Sequence, residues 1–301
     1  MLSLLMLQHL LVIAVIYSIL SISLNMAVGV TGLFNMGHAA FFGIGAYTAA
    51  ILSLAGTPFW LDMLAAVCMC GLVAALIGLP TLRLVADYLA VATMGLGEIA
   101  RAVFKNWTSL TGGTMGLRGI PQASLFGLTF ISTARFLGLS VACLLVVYAV
   151  AEGLLHSPFG RVLKSIREDE IAAQSCGKDT YWFKMWALVI SAGMAGVAGS
   201  LYVHYINFID PTSFTMWITF FLLLIIMVGG LGNNLGAVLA SVMFVAVREG
   251  LRFIGLPTSI GAPLQQLILG VLLLLVTILA PQGLIPERKI IARQTDHAKG
   301  Q

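Results

Sequence analysis

The chain has 301 residues, 59% of them hydrophobic and only 9% charged, with a mean hydropathy of +1.01 and a formal net charge of +4. So little polar surface excludes a soluble globular domain, and the placement of the charges between long apolar runs argues for membrane topology rather than a nucleic-acid surface. A bilayer core about 30 Å thick takes roughly 20 apolar residues per helix, and runs of that length follow one another here, so the expected fold is all-α: one polytopic helical bundle over 1–301.

In chain order the runs predict about nine spans, in a range of eight to ten, at 2–26, 36–55, 60–80, 88–106, 134–155, 182–206, 215–231, 235–255 and 264–281. The first lacks a basic n-region and is too long for a signal-peptide core, which makes it a retained span. Basic residues collect in 156–184 (Arg161, Lys164, Arg167, Lys178, Lys184) and in the tail (Arg288, Lys289, Arg293, Lys299). By the positive-inside rule both face the cytoplasm, which puts the N-terminus outside and 107–133 outside.

The second span opens with "GLFNMGHAAFFGIGAY", Gly32 to Tyr47. Its glycines read either as close packing or as unwound backbone lining a pathway, and Asn35 and His38 bring the pathway reading level with packing because a lipid-facing imidazole is costly. Asn35-Met-Gly has a counterpart in Asn234-Leu-Gly, a three-residue hint of an internal repeat. The four cysteines, Cys68, Cys70, Cys143 and Cys176, show no metal-ligand spacing and read as packing residues.

In the fourth span Glu98 and Arg101 stand three apart on one helical face, where each neutralises the other. They form either a structural ion pair or a contact for the ammonium and carboxylate of a zwitterion. The 107–133 segment after them is dense in glycine and proline, the composition of defined turns. In the sixth span Ala192, Gly196 and Ser200 recur every fourth residue beside Ala195 and Gly199, a smooth face for a partner helix. Arg248, Glu249 and Arg252 near the outer end of the eighth span read as snorkelling anchors.

Charge is concentrated in "SPFGRVLKSIREDEIAAQSCG", Ser157 to Gly177. Ser157 followed by Pro158 predicts a capped helix start, Phe159, Leu163, Ile166, Glu170, Ala173 and Gly177 form one stripe, and Gly177 suits a left-handed cap. The helix is either a solvated cytoplasmic linker or a docking element for a soluble partner.

"EIAAQSCG" resembles the EAA loop of ATP-binding-cassette importer permeases, with Ala172, Ala173 and Gly177 on the pattern and the acid, Glu170, one place early. "GLFNMGHAAFFGIGAY", "EIARAVFKNWTSLTGGTMGLRGIP" and "VGGLGNNLGAVLAS" look like the branched-chain amino acid permeases of that class, and "LTGGTMGLRGIP" points to the LivM-type rather than the LivH-type subunit. The resemblance implies a transporter in the bacterial inner membrane and four kinds of partner: a second permease, two cytoplasmic ATPase subunits, a periplasmic binding protein and an amino acid substrate. It further implies coupling to the ATPase through Arg161, Arg167, Glu170, Ala172, Ala173 and Gly177; the residues themselves suggest a pathway past Asn35, His38, Glu98 and Arg101, and, as the alternative to anchoring or a plain connector, binding-protein contacts at Arg118, Arg248 and Arg252.

The sequence holds no phosphate-binding loop, because its only Gly-Lys pair, Gly177-Lys178, has Ala172 where the first glycine belongs and Asp179 after the lysine. No metal motif or nucleophile triad is present either, so the expectation is no enzyme site, no cofactor and no nucleic-acid partner. Two rivals stay open: a urea or short-chain amide permease of the same class, and an ion-coupled transporter using Glu98.

Overall fold

The computed structural model describes residues 2–84, 86–125, 128–130, 132–253, single positions between 264 and 278, and 283–285. The expected ninth span and the basic tail therefore lie outside the described residues, apart from those single positions. Among the described residues, four helices are long and apolar enough to cross a membrane, and three shorter apolar helices accompany them.

Helix α1, Leu2–Leu24, runs without a break into a π-helical segment, Asn25–Val30, four residues beyond the expected end of the first span. A helix that is apolar on all sides belongs in a core. This one is the axis of the bundle, packed against four later helices, with Ser18, Ser21, Ser23 and Asn25 fully buried along it.

The tightest unit joins α2 (His38–Leu54), α3 (Phe59–Thr81) and the long helix that follows the charged segment, Thr180–Ile206. The predicted small-residue face makes this possible. A Cβ on Gly196 would stand 2.8 Å from the Ala66 carbonyl oxygen and one on Gly199 2.5 Å from that of Phe42, so any larger side chain would force the backbones apart. Cys70 fills a packing role, its thiol donating to the Phe41 carbonyl at 3.1 Å.

Helix α4, Ala86–Asn106, coincides with the expected fourth span but carries Asp87, Glu98, Arg101 and Lys105, and it is not among the four apolar crossing helices. The segment after it is turn-built, as its composition predicted: α5 (Thr108–Thr111), a 3-10 turn, and strand β1 (Leu117–Arg118). A short hairpin, β2 (Ser124–Leu125) with β3 (Leu128–Thr129), completes it. Helix α6, Thr133–His156, then crosses to the charged segment.

That segment is two helices and not one. α7 covers Pro158–Glu168, with the Ser157 hydroxyl accepting from the Gly160 N–H, and α8 covers Glu170–Ser175. Asp169 breaks the expected stripe: its backbone is extended (φ −156°) and its carboxylate accepts from the Ala172 N–H at 3.0 Å, capping a new helix instead of continuing the old one. Gly177 does take the left-handed conformation, at φ +75°.

The Thr180–Ile206 helix is α9; after it β4 (Phe208–Ile209) pairs antiparallel with β1, and α10 (Met216–Gly229) and α11 (Asn234–Phe253) close the described bundle.

α2 and α10 begin inside the bundle, not at its ends. After the first helix the chain doubles back without helical structure through Gly32–Asn35, and α2 starts where the His38 ring meets the Ser23 hydroxyl at 2.6 Å. Ser23 lies seven residues before Val30, about 10 Å along the axis at ~1.5 Å per residue. Ser191, whose hydroxyl donates to the Ser23 carbonyl, is near the middle of α9. α10 starts alongside: its Thr219 hydroxyl accepts the Ala39 N–H at 3.0 Å. Interrupted helices of this kind survive at membrane depth because neighbouring elements satisfy the freed backbone groups.

Candidate functional site

Two polar constellations stand out against the apolar bundle. The first surrounds the crossing of α4 over the start of α2. There Gly37 lies so close to α4 that a Cβ on it would meet the Thr93 carbonyl oxygen at 2.3 Å, and the Thr93 hydroxyl accepts the Met36 N–H at 3.0 Å. Asn35 shapes the turn into α2, its side-chain oxygen accepting the Gly37 N–H at 3.0 Å, while its amide nitrogen is buried without a partner among the described residues.

Between α2, α3 and α4 lies a cavity of about 360 Å³ whose wall is apolar (Ile44, Val73, Ile99 and Phe104 among others) except at Asn35 and Thr93. Across the same crossing, Glu98 borders a narrow cleft with Gly37 and Thr219, where the starts of α2 and α10 meet. Glu98 and Arg101 form the expected ion pair at 3.1 Å, and both side chains point out of the chain, 47% and 38% exposed. Asn35, Glu98 and Arg101 are thus brought to one crossing. His38 is not; its ring is fully buried and turned toward Ser23 on α1.

The second constellation is at the charged end. Arg167, named from the sequence as a coupling residue, reaches inward and donates to the Gly29 carbonyl at the end of the π-helical segment, beneath Gly32, and also pairs with Glu168 at 3.3 Å. Glu170 accepts from the Lys184 ammonium at 2.6 Å and from the Thr180 hydroxyl at 3.0 Å, and Gln174 donates to that hydroxyl at 2.9 Å. The loop's acid is therefore bound to the first turns of α9. Ala173 is buried beneath it, whereas Arg161, Ala172 and Gly177 are exposed and Ile171 is 76% exposed.

The remaining predicted contacts are dispersed. Arg118 is exposed on β1, with its guanidinium 5.6 Å from the Phe208 ring centre. Arg248 is not a snorkelling anchor: it turns into the bundle, donates to the Tyr17 hydroxyl at 3.2 Å and stands over the Phe221 ring at 5.5 Å. The aromatic faces satisfy the cation better than apolar helix surface would. The side chains of Glu249 and Arg252 lie outside the described residues.

The family described as "branched-chain amino acid transport system / permease component" matches residues 6–277. The chain belongs to this family. It is 39% identical over 95% of its length, and over 72% of the relative's, to the LivM permease protein of the high-affinity branched-chain amino acid transport system of Escherichia coli. It is 30% identical to a probable LivM permease protein of Methanocaldococcus jannaschii, with 92% of each chain covered. To the LivH permease protein of Salmonella typhimurium it is 25% identical, over 91% of this chain and 92% of that one. Each of these relatives is named as a transport permease protein, consistent with a transporter component.

The permease also contains a polar chain that its sequence did not suggest. Asn25, in the π-helical segment, donates to Asn234 at 3.1 Å and accepts the Gly232 N–H at 2.9 Å; Asn234 donates to Glu152 at 3.1 Å, and Glu152 pairs with His156. It ties α1, α6 and α11 together at the charged end. The available signal was the presence of Asn25 and Glu152 at the inner ends of two apolar runs, where a polar side chain needs a partner. Lys184 and Thr180 were missed because Lys184 was counted only as a topology charge.

Proposed function

We propose that this permease forms, with a second permease of LivH type, the membrane pathway of an ATP-driven importer of branched-chain amino acids in the bacterial inner membrane. The charged end faces the cytoplasm, which places the N-terminus and the β1–β4 pair outside, and two ATPase subunits dock on the charged end. A periplasmic binding protein delivers substrate to the outer face, where Arg118 stands exposed.

The observation that carries this reading is the outward-facing Glu98–Arg101 pair at the middle of α4. An ion pair at mid-helix depth is costly against lipid and stable against a protein or water-filled pathway. It offers a carboxylate to an ammonium and a guanidinium to a carboxylate, next to an apolar cavity of about 360 Å³ that suits a branched aliphatic side chain. The starts of α2 and α10 add the positive ends of two helix dipoles to the same crossing.

Coupling follows from the second constellation. Ile171 and Ala172 give the ATPase an exposed, small-residue surface, and Glu170 hands movement of that surface to Lys184 and Thr180 on α9. Because α9 packs along α2, the start of α2 at the α4 crossing moves with it, so closure of the ATPase dimer changes which side the crossing is open to.

The test is ATP-dependent uptake of leucine, isoleucine and valine by the complex reconstituted in vesicles. Wild type is expected to require ATP, and Glu98→Gln/Arg101→Met, which removes both charges together, to assemble yet lose more than about tenfold in uptake. Normal uptake by an intact double-variant complex would remove the pair from the pathway. Uptake by the purified chain alone down an ion gradient would overturn the importer reading.

A further inference from the structure

At the charged end a cavity of about 620 Å³ opens between the end of the first helix, the turn after α3 and the first turn of α9. Three cations and one acid face it: Arg83, Arg167, Lys184 and Glu170. Arg167 is also paired with Glu168, just outside the lining, at 3.3 Å, so three positive charges against these two acids leave a net positive wall, and a low-dielectric concavity with such a wall concentrates anions. The rest of the lining includes Leu82 and Leu84, so a ligand that fills the space carries an apolar portion as well as an anionic one.

The surroundings say what kind of amphiphile. Leu84 is 42% exposed at the rim, and Tyr181 packs edge-on against Trp182, which with Trp186 turns more than half its surface outward from the same end of α9. Exposed tryptophan and tyrosine at a helix end mark the level of lipid headgroups. Basic pockets between transmembrane helices at that level bind phosphate-bearing headgroups. The Arg83 guanidinium is placed at the mouth, 5.9 Å from the Tyr181 ring centre, while Lys184 is deep, with only a tenth of its side chain exposed.

We propose that this cavity is a binding site for the phosphate of an anionic phospholipid, held between Arg83 and Lys184, with the acyl chains leaving past Leu84. Arg167, held by its hydrogen bond to Gly29 and its pair with Glu168, stays in the wall as a secondary cation. Glu170, already bound to Lys184, sets the upper limit on ligand charge by repulsion. Ile171 and Ala172, exposed residues of α8, are not part of the lining.

The test uses the assembled complex in phosphatidylcholine nanodiscs doped with phosphatidylglycerol, with the lipids retained on the released protein counted by native mass spectrometry. The expected result is selective retention of phosphatidylglycerol, lowered roughly fivefold by Arg83→Gln. Arg135→Gln, exposed at the opposite end of the bundle, is expected to leave retention unchanged. Millimolar inorganic phosphate is the second arm. If it displaces the lipid and protects the wild-type complex, but not the Arg83→Gln complex, against thermal unfolding, the phosphate site stands and its source is the free ion. Equal retention by wild type, Arg83→Gln and Arg83→Gln/Lys184→Gln, with no phosphate effect on any of them, would overturn the site. Arg83 is exposed at a turn, so its substitution tests binding without threatening the fold.

Discussion

The two charged regions of this permease handle charge in opposite ways. At the end of the bundle Glu170, Lys184 and Arg167 are answered from within the chain, by each other, by a threonine hydroxyl and by the Gly29 carbonyl. At the middle of α4, Glu98 and Arg101 have only each other among the described residues, and both face outward. Helix ends leave backbone N–H and C=O groups unsatisfied, which lets a chain answer some of its own charges there. The flank of a helix supplies none, so a mid-helix charge that points outward depends on something outside the chain. The loop's charges are met within the single chain, whereas the proposed function assigns the α4 face to contact with a protein or water-filled pathway.

The largest effect that tests this contrast is expected from Glu98→Gln with Arg101 retained. An unpaired guanidinium at that depth costs about 3 kcal/mol in apolar surroundings, roughly a hundredfold in assembled complex. Adding Arg101→Met should restore assembly but not uptake. Co-purification of the second permease reads assembly directly, and an undiminished yield for the single variant would mean that this face is bathed in water.

Lys184→Met probes the other region and should act differently. Because Glu170 is 40% exposed, losing its cation should lower stability by only about 1 kcal/mol. Uptake should nevertheless fall by about tenfold while the ATPase stays bound, since the tie to α9 is cut and the docking surface is not. The exchange Glu170→Lys/Lys184→Glu should recover most of the uptake. If the exchanged pair binds no ATPase, the acid belongs to the docking surface and the contrast between the regions narrows.

A third variant pair separates the two faces of α8. Ala172 is exposed and Ala173 is 5% exposed. Ala172→Trp should weaken ATPase co-purification about fivefold and change thermal stability by less than about 0.5 kcal/mol. Ala173→Trp should cost about 1–3 kcal/mol of stability by overpacking.

Much of this was readable from residue order. The run 182–206 with its four-residue spacing of Ala192, Gly196 and Ser200 predicted α9 and the face it buries, because close helix approach leaves a composition trace. Ser157-Pro158 predicted the α7 start, since capping is local chemistry. The Glu98–Arg101 pair was readable for the same reason: three residues apart is one helical face. What was not readable depended on distant partners. Lys184 reaches Glu170 across a turn of the chain, Arg248 finds Tyr17 from 231 residues away, and Asn25 finds Asn234 from 209. No spacing rule encodes such meetings. The interior start of α2 was half legible: glycines flagged an interruption at 32–37, but the level at which α2 begins is set by the pairing of His38 with Ser23.

The smallest expected effect lies at the break that the apolar stripe concealed. Phe159, Leu163 and Ile166 continue in register to Glu170 and Ala173, so burial alone favours one unbroken helix across Asp169. The aspartate wins locally, because an extended Asp169 gives its carboxylate to the Ala172 N–H and turns α8 so that Glu170 meets Lys184. Asp169→Ala removes the cap at a cost of about 1 kcal/mol, and Asp169→Asn keeps most of it. Amide hydrogen exchange over 170–176 should speed up in the alanine variant and remain near wild type in the asparagine variant, with exchange in α9 unchanged in both. Slower exchange in the alanine variant would show that α7 had grown through into α8. It would also show that the break, and with it the internal answer to Glu170, is held by this one side chain.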